Sequence, residues 1–197
     1  MSRSKSKIPS VQRTSRWRVL LFVIAVLVAI VWVIVAAKTQ DPLWPLGGSY
    51  IAAPPSRIAI HEQGEMQTIL PGDPEYDRLS DAILASVGEL DSTRPIDVGL
   101  SEEILNGLLT QSTVIEVFFP EPIRYHTAVR IIPPDKLLIP LKGRYAGRAY
   151  MFLGNGETAY RPGALRMQDD TPLREVLATM GIDVEEPRAG LAVTAQP

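Results

Sequence analysis

The sequence predicts an α+β protein: a single N-terminal transmembrane helix, then one extracytoplasmic domain with a mostly antiparallel sheet and about three helices. Three observations support this prediction. One long uncharged apolar run lies near the N-terminus, several short segments alternate apolar and polar residues between turn residues, and three segments space their apolar residues as helices do. The connections between successive predicted strands are short, and short connections join antiparallel neighbours.

The apolar run follows a basic segment, residues 1–18, which contains six arginine and lysine residues and no acidic one. Residues 19–37 carry no charge, and as a helix they would extend about 28 Å, close to the ~30 Å hydrocarbon core of a bilayer. Because only Lys38 directly follows the run, the positive-inside bias predicts a cytoplasmic N-terminus in the cell membrane. We therefore expect residues 19–37 to be an uncleaved signal-anchor helix in contact with the lipid bilayer.

A cleaved signal peptide is the alternative, since Val35, Ala36 and Ala37 resemble a cleavage site. The apolar run is, however, longer than the ~7–15 residues of a signal-peptide core. Residues 38–56 contain four prolines and a Gly-Gly pair, which predicts an extended spacer. Residues 57–181 have the size of one domain, and residues 182–197 show no period, which predicts a disordered tail.

The domain is predicted to begin with a hairpin. Residues 57–62 alternate, Gln63 and Gly64 form the turn, and residues 65–70 return. A helix is then predicted from Asp73 as N-cap, with Pro74 at its first position, up to Gly88. Its apolar residues, at positions 76, 79, 83 and 87, would share one face.

Ser101 is the predicted N-cap of a second helix, whose buried face would consist of Ile104, Leu105, Leu108 and Leu109. The last helix is predicted to start at Thr171 with Pro172 at its first position, and to end at Gly181. Between these helices, alternation and turn residues predict five strands, at residues 114–119, 123–132, 137–143, 148–153 and 158–167.

Several chemistries lack their sequence signals. The chain contains no cysteine, which excludes disulfides, thiolate metal sites and cysteine nucleophiles. Glycine-rich nucleotide loops and the common serine nucleophile motifs are also absent. The two histidines, His61 and His126, lack the spacing of a metal site. We therefore predict no cofactor, no metal site and no nucleic-acid partner.

The charges of the domain are unevenly distributed along the chain. Residues 39–121 contain 3 basic and 14 acidic side chains, whereas residues 122–168 contain 8 basic and 2 acidic ones. Strand alternation would place many of these cations opposite the apolar residues, giving the sheet one apolar and one basic face. An ordinary solvated face is the simpler interpretation. The sharper hypothesis is a surface for an anionic envelope polymer, a lipid head group or an acidic protein, formed by Arg124, Arg130, Lys136, Lys142, Arg144 and Arg148.

These features predict a non-enzymatic, membrane-anchored interaction, assembly or regulatory protein, whose partner could be another membrane protein. The layout resembles that of small bacterial single-span proteins whose external domains regulate a neighbouring membrane protein, without any shared motif. A binding module for an anionic polymer or lipid is the first alternative. An envelope hydrolase is the second, with Tyr125, His126 and Glu116 as candidates, although Glu116 is expected simply to face solvent from its strand.

Overall fold

The computed structural model describes residues 16–39, 49–92, 94–156 and 159–184. The chain divides into two units, Met1–Pro45 and Leu46–Pro197. Most of the predicted basic segment, the central part of the predicted spacer and residues 185–197 of the predicted tail therefore lie outside the described residues.

The first unit contains helix α1, Arg16–Thr39. Its stretch Trp17–Lys38 is long and apolar enough to cross a membrane, and none of its side chains is buried by the rest of the protein. Many of its residues are β-branched, which disfavours a helix in water but not in lipid, where the backbone has no other hydrogen-bond partner. The predicted apolar helix is confirmed, and its length and position fit a single-pass anchor or a signal sequence.

The second unit contains one antiparallel sheet of six strands in the order β2-β1-β3-β4-β5-β6. Across the described residues of this unit three helices accompany it, which confirms the predicted α+β class. The strands are β1 Arg57–Glu62, β2 Glu65–Ile69, β3 Thr113–Phe118, β4 Lys136–Pro140, β5 Tyr150–Asn155 and β6 Ala159–Arg166; the helices are α2 Tyr76–Val87, α3 Glu102–Gln111 and α4 Thr171–Thr179.

The β1–β2 hairpin has the predicted two-residue turn. Gln63 and Gly64 both have positive φ, 50° and 91°, as a type I′ turn requires, and the turn brings Glu62 opposite Glu65. The type I′ turn matches the twist of the strands, and the two-residue connection sets the register of the whole hairpin.

The two faces of the sheet both carry apolar cores. The first face packs against α2 and α4 through a large cluster that includes Ile58, Ile115, Leu137 and Met151. On the second face, Val114, Leu138 and Phe152 form a smaller cluster that includes Leu108 of α3. The prediction of one apolar and one basic face is therefore wrong, because α3 and the segment before it cover part of the second face.

Two of the three helix starts differ from the prediction. Ser101 caps α3 as expected, accepting a hydrogen bond from the Ile104 N–H at 3.3 Å. Helix α2 instead begins at Tyr76, because the Asp73 carboxylate accepts the Leu70 N–H at 2.8 Å and closes the preceding turn. Helix α4 begins with Thr171 inside the helix rather than at its cap, and Asp170 occupies the N-cap position.

The predicted strand at residues 123–132 is wrong. Residues 119–135 form a loop, and only Arg124 makes an isolated bridge, to Tyr50. Prolines occur at positions 120, 122, 133 and 134. They cannot donate to a strand ladder, which explains why the alternating pattern does not join the sheet. Ile123 and Tyr125 are nevertheless buried in the first core.

The domain extends beyond its predicted boundaries at both ends. Tyr50 pairs with the 119–135 loop, and Ile51 packs against the first core, although both lie in the predicted spacer. Ile182 and Val184, the start of the predicted tail, also pack against that core. Apolar side chains at these positions are stabilised by burial that local composition does not reveal.

Candidate functional site

The most distinctive polar feature is a group of side chains on the second face of the sheet, which we call the Glu116 cluster. It consists of Glu116 on β3, His61 on β1, Lys136 on β4 and Tyr160 on β6. The His61 Nε2 lies 2.8 Å from one carboxylate oxygen of Glu116, and the Tyr160 hydroxyl donates to the other at 2.5 Å. The Lys136 Nζ lies 3.8 Å from the same carboxylate.

Strand register brings these residues together. His61, Glu116 and Lys136 point to the same face of neighbouring strands, but Tyr160 lies on β6, three strands away from β3. Gly154 pairs with both Tyr160 and Lys136 across β5. Because a glycine has no side chain on that face, the Tyr160 ring can reach across β5 to Glu116.

Lys136 is fully buried within this cluster. Its ammonium group lies 4.1 Å from the centroid of the Tyr160 ring and 5.4 Å from that of Phe118. Arg57 covers Phe118 as well, with its guanidinium carbon 3.8 Å from the ring centroid. Cation–π contacts of this kind stabilise a cation that has lost its water, so the aromatic rings and Glu116 together hold the buried ammonium.

The electrostatics of the cluster keep Glu116 ionised. Burial alone would raise the pKa of Glu116, but the hydrogen bonds from His61 and Tyr160 and the charge of Lys136 lower it below its ordinary value. Burial and the neighbouring carboxylate raise the pKa of Tyr160, so its hydroxyl remains a donor. Both oxygens of Glu116 are occupied by protein donors, and the arrangement is a satisfied polar network.

The expectation that Glu116 merely faces solvent is therefore wrong, because its side chain is only 13% exposed and is bonded from two other strands. Tyr125 and His126 contact other groups. The Tyr125 hydroxyl lies against the Met151 sulfur at 3.5 Å, and the backbone N–H of His126 donates to the Ser49 hydroxyl at 3.4 Å. The three residues suggested for a hydrolase thus occupy different environments.

The six predicted anion-binding residues are distributed over four places. Arg124 and Arg130 are exposed on the 119–135 loop, and Lys136 is buried in the Glu116 cluster. Lys142 forms an ion pair with Asp183. Arg144 and Arg148 are exposed in the turn before β5, where Arg144 lines an open groove of about 510 Å³ beside α3. Within the described residues no three metal-ligating side chains come together.

The two edges of the sheet differ. The outer edge of β6 is covered by the segment that precedes α3. The N–H groups of Ile96 and Ala164 donate to each other's carbonyls at 2.7 and 3.0 Å, the Gly163 N–H donates to Val98 at 3.1 Å, and the Asp91 N–H donates to Arg166 at 3.0 Å. These bonds give the C-terminal half of β6, from Gly163 to Arg166, a partner on its outer side.

No strand pairs with the outer edge of β2 in the part of the chain that the structure describes. Residues Glu65–Thr68 are all exposed. Since the two-residue turn makes Glu62 and Glu65 a hydrogen-bonded pair, the alternation of an antiparallel ladder directs the N–H and C=O groups of Met66 and Thr68 outwards. The edge thus presents two backbone donors and two acceptors.

The surroundings of this edge are acidic. Residues 61–81 contain six aspartate and glutamate residues and a single basic one, Arg78. Glu65 on β2 itself and Asp73, Glu75 and Asp77 beyond it are exposed. The acidic stretch is evident in the sequence, but only the strand order shows that it continues from an open edge strand.

Comparison with protein-family models found no match, and comparison with curated proteins and with solved structures found none either. The functional interpretation therefore rests on the residues of this chain.

Proposed function

We propose that this chain is a membrane-anchored, non-enzymatic interaction protein whose domain binds a partner protein by strand addition at β2. In this proposal α1 spans the cell membrane with its basic N-terminus in the cytoplasm, and the domain is extracytoplasmic. The observation that carries the proposal is the difference between the covered β6 edge and the open β2 edge.

Edge strands usually carry features that prevent pairing with other chains, such as lysine, proline or a bulge. β2 has the sequence EMQTI and a regular five-residue register with β1, without any of these features. Strand addition uses such an edge, because the main chain of an extended peptide completes the ladder. The exposed Met66 side chain offers an apolar contact beside that ladder.

The acidic surroundings favour a basic partner. A second copy of this chain would bring like charges together at Glu65 and its neighbours, which disfavours pairing of β2 with itself. An extended segment rich in lysine or arginine would instead meet opposite charge, which also speeds its encounter. We therefore assign the edge to a basic, extended segment of a partner protein.

The membrane part of the proposal is supported by the 22-residue span of α1 and by the basic residues that precede it. The Glu116 cluster supports a non-enzymatic role, because Glu116 has both oxygens engaged and the ammonium of Lys136 is buried. Groups held in this way stabilise the sheet rather than act on a substrate.

Site-specific photocrosslinking in the native membrane tests this function. A crosslinking amino acid replaces Met66 in the full chain, and the matched control carries it at the exposed Arg148. We expect one discrete adduct from position 66, absent from position 148 and weakened by added salt. A proposal of strand addition is contradicted if the two positions give the same products.

Three further variants of the Met66 probe show how the partner binds. Thr68→Pro removes an outward N–H, whereas Thr68→Ala removes the side chain and keeps the N–H, so only the proline variant should lose the adduct. Glu65→Lys should weaken the adduct.

An adduct with the mass of two copies would show that a second copy of the chain occupies the edge. An internal crosslink that is lost from a chain ending at Val184 would show that the chain's own C-terminus occupies it. Either result would overturn the assignment to a basic partner.

A further inference from the structure

A second exposed surface lies on the loop of residues 122–134, which we call the basic loop. It carries Arg124 and Arg130, both exposed, and it has no acidic residue. Val129 and Ile132 are 37% and 65% exposed, and Tyr50, which pairs with Arg124, is 61% exposed. Isolated apolar side chains on a protein surface are common, but here three of them accompany two arginines within one short region.

The basic loop is held in place at several points. The Ile123 N–H donates to Pro134 at 2.7 Å, and the Arg161 guanidinium donates to the carbonyl of Ile132 at 2.6 Å. Tyr50 and Arg124 exchange two backbone hydrogen bonds of 2.7 and 3.0 Å. The outward direction of Ile132 is therefore imposed by the backbone contacts on its carbonyl and by the inward packing of Ile131 against the first core.

We propose that the basic loop rests on the surface of the bilayer and binds anionic lipid head groups. Apolar side chains enter the boundary between head groups and acyl chains, while arginines bind the phosphates above it. This inference depends on the proposed membrane anchor. Ser49, the first described residue of the second unit, follows Lys38 by 11 residues, so an extended chain would keep Tyr50 within about 40 Å of the membrane.

The charge pattern favours lipid over a protein partner at this loop. The loop offers cations and separate apolar side chains, and strands β3 and β4 on either side of it are fully paired. An anionic bilayer needs no shaped pocket and attracts each arginine by its surface potential, at about 1 kcal/mol per basic side chain. The basic loop and the acidic β2 edge would then serve different partners.

Single-cysteine labelling tests the proposal, because the natural chain contains no cysteine. The full chain is reconstituted into vesicles of phosphatidylcholine, with or without phosphatidylglycerol, that carry a quencher on the lipid head groups. A fluorophore is attached at Ile132→Cys. In the matched control the same fluorophore is attached at Leu70→Cys, another exposed aliphatic position. We expect strong quenching at position 132 in anionic vesicles only, and weak quenching at position 70 in both.

Charge removal gives the second arm of the test. Arg124→Gln with Arg130→Gln should lower the docked fraction relative to the undocked one by roughly thirtyfold, since two phosphate-binding charges are lost. Arg144→Gln with Arg148→Gln removes two exposed arginines elsewhere and should leave the quenching unchanged. High salt should have the same effect as the first pair of changes.

The outcomes separate failure of the anchor from failure of the docking. A chain that does not float with the vesicles contradicts the proposed anchor. A chain that floats but shows equal quenching at positions 132 and 70 contradicts lipid docking alone. If position 132 is shielded in native membranes yet not quenched in anionic vesicles, the loop binds a protein and the lipid proposal is overturned.

Discussion

The two edge strands of the sheet, β6 and β2, differ in whether another segment of the chain pairs with them. Each is the last strand on its side of the sheet and would present unpaired N–H and C=O groups. The segment before α3, however, forms backbone hydrogen bonds with β6 through Ile96 and Val98. Among the described residues no strand pairs with the outer edge of β2, and the side chains of Glu65–Thr68 are exposed. An edge that is covered stabilises the fold, whereas an edge left open and flanked by acidic residues is available for another chain.

The Glu116 cluster connects these two sides, because it joins β1, next to the open edge, to β6 at the covered edge. Glu116→Gln removes a buried carboxylate charge that lies 3.8 Å from the buried Lys136 ammonium, so we expect a loss of about 3 kcal/mol in the free energy of unfolding. Denaturant unfolding at neutral pH measures it. Glu121→Gln, at an exposed carboxylate in the following turn, is the matched control and should change stability by less than about 0.5 kcal/mol.

Low pH should remove the stabilisation that the Glu116 carboxylate provides. Because the pKa of Glu116 is lowered on folding, its stabilising effect is present at neutral pH and is lost as the pH falls below the ordinary glutamate value of 4.5. The difference in unfolding free energy between the natural chain and Glu116→Gln should therefore shrink from about 3 kcal/mol towards zero in acid. A difference that stays constant with pH would show that the carboxylate charge is not what holds the cluster.

The covered edge should be sensitive to proline. Ile96→Pro removes the N–H that donates to Ala164, so it should cost about 2 kcal/mol and increase amide hydrogen exchange along β6. Arg94→Pro introduces a proline at an exposed position of the same segment and is the matched control. It should lower the free energy of unfolding by less than Ile96→Pro does. Equal losses for the two variants would mean that the segment does not close the edge through this bond.

The open edge at β2 should tolerate a substitution by proline. Thr68→Pro removes an N–H that points away from the sheet, so it should cost under about 1 kcal/mol while abolishing the proposed partner contact. Gln67→Pro, one residue earlier, removes a bond to β1 and should cost more. Thermal unfolding of the two variants compares them directly, and a Thr68→Pro loss as large as that of Gln67→Pro would show that the Thr68 N–H does not face outwards.

Local signals predicted much of the fold. The two-residue turn at Gln63 and Gly64 and the cap at Ser101 depend on residues within three positions of each other, and both are present as predicted. The segment at 123–132 shows the limit of such signals. Its alternation correctly separates buried Ile123 and Tyr125 from exposed Arg124, but flanking prolines and the lack of a neighbouring ladder leave it a loop.

The sequence by itself determined the apolar helix, the α+β class and the separation of acidic from basic stretches, since each depends on composition or on spacing along the chain. Only the tertiary structure decided where the charges act. His61 and Tyr160 lie 55 and 44 residues from Glu116, and the strand order brings them to one carboxylate. The same order left β2 at one edge and β6 at the other, where the segment before α3 covers it, because pairing between distant parts of the chain is set by the packing of the whole sheet rather than by neighbours in sequence.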